Sequence, residues 1–223
     1  MYVFRNLARP FILLIFATTM TVTAMASEPE LHQAAARNDA ARIETLLKAG
    51  ARVDARDQAE RTALLAATHA NAIDAARVLI AAGADVNAKD NIQDSPYLYA
   101  SAAGHIEILR LTLKAGADLK SVNRFGGTGL IPAAERGHVE VIRELIKAGV
   151  AIDHVNRLGW TALLEAIILS DGGPAHVEIV KLLIAAGADV NLADKDGVTP
   201  LAHAEKMGYR EIANLLKAAG GKA

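Results

Sequence analysis

The chain has 223 residues, 52% hydrophobic, 4% aromatic and 22% charged, with a formal net charge of −1. Near-neutral charge argues against nucleic acid as a partner, which needs a concentrated Lys/Arg face. The absence of cysteine excludes disulfides, zinc–thiolate and iron–sulfur sites, a thiol nucleophile and a lipid anchor on an N-terminal Cys.

Residues 1–26 carry no Asp or Glu and read as a secretory signal peptide. Arg5 and Arg9 form a basic start, Phe11–Ala17 an apolar run, and Ala24-Met25-Ala26 a cleavage site before Ser27. The run falls short of the roughly 20 residues that span a bilayer, and no later segment is long and apolar enough. The alternative is an uncleaved N-terminal anchor. The expected address is the periplasm, or the outside of the cell. Cleavage removes two Arg and leaves 22 Lys+Arg against 25 Asp+Glu, a net charge of −3. It also leaves five aromatics: Tyr97, Tyr99, Phe125, Trp160 and Tyr209.

From residue 27 onward the chain repeats. Gly50, Gly83, Gly116, Gly149, Gly187 and Gly220 each close an Ala-Gly motif, at spacings of 33, 33, 33, 38 and 33. A fixed period of this length marks stacked supersecondary units. Before each glycine runs an apolar stripe at helical spacing, such as Val141, Ile142, Leu145 and Ile146. The glycine suits the left-handed residue that ends a helix. A shorter Ala-rich helix follows Thr62, Ser95, Thr128, Thr161 and Thr199, each able to accept from free amides at its start. Pro96 and Pro200 occupy the first helical position. Turns carrying Gly104-His105, Gly137-His138 and Gly208-Tyr209 separate the two helices. Polar turns at 57–61, 90–94, 123–127, 156–160 and 194–198 join the units.

Ala188-Asp189-Val190-Asn191, the run from Asp194 to Leu201, and Gly137-His138-Val139-Glu140-Val141 resemble the ankyrin repeat. The resemblance covers about residues 28–221, and the arrangement looks like a small exported bacterial ankyrin protein. It implies an all-α solenoid of six helix-turn-helix units joined by β-hairpin-like loops, with capping first and last repeats. The units fall at about 28–55, 56–88, 89–121, 122–154, 155–192 and 193–221, within a domain of residues 27–223. Thr-Pro-Leu-His, a signature of the family, is never complete: Leu65, Leu98, Ile131, Leu164 and Ala202 replace the His, and His32 alone fits its slot. A stacked array has a thin continuous core in which small residues let helix pairs approach. That accounts for the 46 alanines. Polar Glu28, Glu30, Arg37, Asn38 and Asp39 are expected to solvate the first cap.

Nothing in the sequence supports catalysis. His105, His138 and His176 each begin a His-x-Glu, but the cysteine ligands of zinc deaminases are missing and the trio recurs at the repeat period. These histidines read as turn residues. His69, His154 and His203 lack ligand-spaced partners, no Gly-x-Ser-x-Gly elbow occurs, and the stretch from Gly126 to Gly129 lacks a phosphate-loop Lys. No metal or cofactor is expected.

The resemblance places binding on the concave side, made of turn tips and the first helix of each pair. The residues that map there, as a hypothesis, are Ile92, Asp94, Arg124, Phe125, Glu135, Arg136, Arg157, Leu158, Trp160, Lys206 and Met207. Aromatic and Arg residues are common interface anchors, so Phe125 and Trp160 stand out in an aromatic-poor chain. The alternative is that the apolar tip residues fold back over the neighbouring turn. A five-residue insertion near Gly172-Gly173-Pro174 is expected to lengthen the first helix of unit five and then loop. It reads either as a tolerated loop insertion or as a second contact. The expectation is a monomeric, non-catalytic protein-interaction scaffold of the periplasm. Alternatives are a protective, chaperone-like partner of an exported enzyme in oxidative-stress defence, and an enzyme with an unrecognised site.

Overall fold

In a computed structural model, residues 28–223 are described; the segment read as a signal peptide, residues 1–26, lies outside them. Twelve helices and no strand occur among these residues. They are α1 (28–36), α2 (Ala40–Lys48), α3 (Ala63–His69), α4 (Ile73–Ala81), α5 (Pro96–Ala103), α6 (Ile106–Lys114), α7 (Leu130–Glu135), α8 (Val139–Ala148), α9 (Ala162–Ile168), α10 (Pro174–Ala185), α11 (Pro200–Lys206) and α12 (Arg210–Ala218). They pair into six helix-turn-helix units. The first helices α3, α5, α7, α9 and α11 stack in chain order, and the second helices α2 to α12 stack alongside them.

Local chemistry sets each helix boundary. The hydroxyls of Thr62, Ser95, Thr161 and Thr199 accept from the amides of Leu65, Leu98, Leu164 and Ala202 at 3.2–3.3 Å. Thr128 departs from the expectation. The helix of unit four begins only at Leu130, and the buried Thr128 Oγ1 has no hydrogen-bond partner. Two units approach closely at this point: a Cβ on Gly129 would lie 2.7 Å from Ser101 Oγ. At the other end, the six period glycines all adopt φ between 86° and 95°. This left-handed turn lets Gly50 N donate to Leu47 O and Ala51 N to Leu46 O, which satisfies the last carbonyls of the helix.

The buried residues form one continuous layer in which Ala from the first helices meets Leu, Ile and Val from the second. In units three, four and five the histidine at the turn binds the preceding unit. His105 Nδ1 donates to Thr68 O at 2.9 Å, His138 Nε2 to Ala102 O at 3.2 Å and His176 Nε2 to Glu135 O at 3.0 Å. The glycine before one histidine makes room for the next, since a Cβ on Gly104 would fall 2.7 Å from the His138 ring. His32 donates from Nε2 to Arg61 O at 2.9 Å, the inter-unit bond the other units lack at that position.

Two further expectations are corrected. The insertion leaves the first helix of unit five at seven residues, the same length as α3. The extra residues form the turn after α9 and add to the start of α10, which runs for twelve residues from Pro174. Tyr209 of unit six covers this turn, and its hydroxyl donates to Ser170 O at 2.6 Å. Asn38 and Asp39 do more than solvate a cap. Asp39 caps α2 through Arg42 N, and Asn38 Oδ1 accepts from Ala75 N of unit two at 2.9 Å.

Candidate binding groove

Each inter-unit turn is built on one acceptor. Asp90 Oδ1 takes the amides of Ile92 and Asp94, Asn123 Oδ1 those of Phe125 and Gly127, and Asn156 Oδ1 those of Leu158 and Trp160, at 2.9–3.1 Å. Asp57 and Asp194 act in the same way. These bonds fix the tip and leave its central side chain about half exposed. Ile92, Phe125 and Leu158 are 47–50% exposed, so these tip residues do not fold away. Trp160 differs: it is half-buried and lies outside the exposed apolar set.

Between the tips and first helices of units three to five lies a groove of about 380 Å³. Six of the eleven expected residues line it: Asp94, Arg124, Phe125, Glu135, Arg136 and Leu158. Ile92, Arg157 and Trp160 lie on neighbouring tip positions outside its lining. Lys206 and Met207 sit exposed on the first helix of unit six and its cap. The groove also takes in Tyr99, Ile131, Pro132, Glu165 and Leu169, which the sequence reading passed over. Glu165 had a readable signal, an acid inside the apolar run Ala162–Leu169.

The charges divide the groove into two halves. In the unit-three half, Arg124 sits 3.6 Å from Asp94 and 4.9 Å above the Phe125 ring, where the ring's negative face favours a cation. Arg136 Nη1 donates to Ala102 O at 2.8 Å. Burial pushes the Asp94 carboxyl above the usual carboxylate range, against the pull of Arg124. Arg157 Nη1 donates to Arg124 O at 3.0 Å and so ties two tips together.

In the unit-five half, Glu165 is 5% exposed, and its Oε1 accepts from Asn156 Nδ2 at 2.7 Å. Burial and then the charge of Glu135 push its carboxyl up to about 7. Among the described residues, no ion pair involves Glu135 or Glu165. Beside the groove, His69 stacks on Tyr99 at 3.9 Å, and burial lowers its basicity.

Groups of three or more His, Cys, Asp or Glu that could hold a metal are absent among the described residues. The same residues contain no helix long and apolar enough to cross a membrane. The arrangement offers an amphipathic cleft walled by three consecutive units.

The family model for ankyrin repeats matches residues 31–123, 97–194 and 130–222. The chain is similar to a solved ankyrin repeat domain from Acinetobacter baumannii AYE, with 64% identity and a TM-score of 0.84, over 86% of this chain and 98% of that one. It is also similar to a second solved ankyrin repeat protein, with 42% identity and a TM-score of 0.81, over 84% and 96% of the two chains. A search of the curated proteins gives no match.

Proposed function

The chain belongs to the ankyrin-repeat family, and we propose that it is a non-catalytic scaffold that holds a partner protein through the groove of units three to five, in the periplasm. Ankyrin repeats are generally protein–protein interaction scaffolds. The observation that carries the reading is the juxtaposition of half-exposed Phe125 and Leu158 with charged side chains around one cleft. Fixed apolar anchors ringed by polar groups favour protein association, because the anchors lose water on contact and the rim sets register. The acid-free segment of residues 1–26, with Ala24-Met25-Ala26 at its end, supports the address.

A benzophenone amino acid placed at Leu158 tests the surface in the source cells. Adducts to a discrete protein are expected from this position, with none from Lys147 on the second helix of unit four. Phe125→Ala combined with Leu158→Ala is expected to weaken capture of that protein by at least about tenfold without changing the melting temperature. Equal capture by the double variant would refute the surface. N-terminal sequencing of the exported chain tests the address, with Ser27 expected as the first residue.

A further inference from the structure

The two halves of the groove are not electrically equivalent. Around Phe125 every charge has an answer nearby: Arg124 meets Asp94, and Arg136 donates to a carbonyl. Around Leu158 it does not. Glu165 is 5% exposed, its Oε1 is held by Asn156, and its Oε2 makes no hydrogen bond among the described residues. Glu135, from the neighbouring helix α7, faces the same space, close enough for its charge to act on Glu165. A largely buried carboxyl whose second oxygen opens to the groove, beside a second acid and with no cation paired to either among the described residues, favours a ligand that brings positive charge, because a carboxylate taken out of water needs a counter-charge. Half-exposed Leu158 and Leu169 flank it.

We propose that this half of the groove receives a lysine or arginine side chain of the partner protein, its cation set between Glu135 and Glu165 and an adjacent apolar residue resting on Leu158 and Leu169. The proposal rests on the scaffold reading and narrows it. The partner segment is basic and apolar in alternation, and an acidic segment is rejected because it would bring a third negative charge to two carboxyls that already repel. A cation entering the site holds both carboxyls ionised and supplies the acceptor-rich pair with the donors they lack.

The test uses the full chain, 15N-labelled, and peptides in which leucine and phenylalanine flank one variable residue. The arginine and lysine peptides are expected to shift the amides of Asn156, Leu158 and Glu165. Replacing the arginine by citrulline, which keeps its shape without the charge, is expected to weaken binding by at least about tenfold. Glu135→Gln with Glu165→Gln is expected to cost the arginine peptide the same factor, while leaving citrulline binding unchanged; Gln at 165 keeps an oxygen for Asn156. Binding of citrulline within twofold of arginine, or no shift at the groove with any peptide, would overturn the proposal.

The partner trapped at Leu158 separates this failure from failure of the scaffold reading. If Phe125→Ala abolishes its capture but the double Gln variant does not, the surface stands and the cation site falls. If neither change affects capture, both fall.

Discussion

Thr128 and Thr161 hold the same position in consecutive units, yet only Thr161 caps a helix. Thr161→Val should cost about 1 kcal/mol by removing that bond. Thr128→Val should be neutral or stabilise by up to about 1 kcal/mol, because it removes a buried hydroxyl without a partner. Urea unfolding of the two variants checks the contrast. Glu165 gives a second test at this scale. Its folded pKa of about 7 lies above the ordinary 4.5, so the fold prefers the protonated form. The stability this gives is complete below the ordinary value and is lost as pH rises through the folded one. Relative to Glu165→Gln, the native chain should therefore lose on the order of 2 kcal/mol between about pH 5 and about pH 8, read by urea titration. Glu135 on α7 reinforces the effect, whereas on α11 His203 is paired with Asp194 at 2.7 Å. The raised pKa was not legible in the sequence. The acid itself was visible, but its burial and its repulsion by Glu135 arise across a unit boundary.

Helix pairs and their terminal glycines were legible because the same local bonding is written six times. The turns between paired helices were less so, since their partners lie in the preceding unit. Gly104→Ala should destabilise by about 2 kcal/mol: its φ of 75° strains any side chain, and the added Cβ meets His138. Gly50→Ala, at φ 95° with open space, should cost about half as much. Thermal melts of the two variants measure the difference, which isolates the histidine contact from the backbone term. The insertion shows the limit of reading length alone. Its register depends on Pro174, which starts α10, and on Tyr209 covering Gly172 and bonding Ser170. Shortening it to the length found in the other units should therefore uncover Tyr209. Amide exchange in α11 and α12 should then rise before that of α5 to α8.

The units are bound by neighbours only, so stability is approximately a sum of unit and boundary contributions. On the side of the second helices, ion pairs cross successive boundaries: Arg110 with Glu144, Arg143 with Glu178, and Lys181 with Glu211. These are solvent-exposed and worth little each. Arg143→Ala should cost less than about 1 kcal/mol, whereas Leu145→Ala in the layer beneath should cost about 3 kcal/mol, both read from urea midpoints. The solenoid was legible from the period, but the groove was not. Its walls come from three units, and only their stacking brings Asp94, Phe125 and Glu165 to one cleft. The groove thus straddles the boundaries between units three and four and between units four and five. A chain of this kind behaves as a spring whose ends open first. A guest spanning both boundaries acts as a rivet through its middle coils: it resists their parting and leaves the outer coils free to flex, so capture stiffens the centre while the ends stay supple.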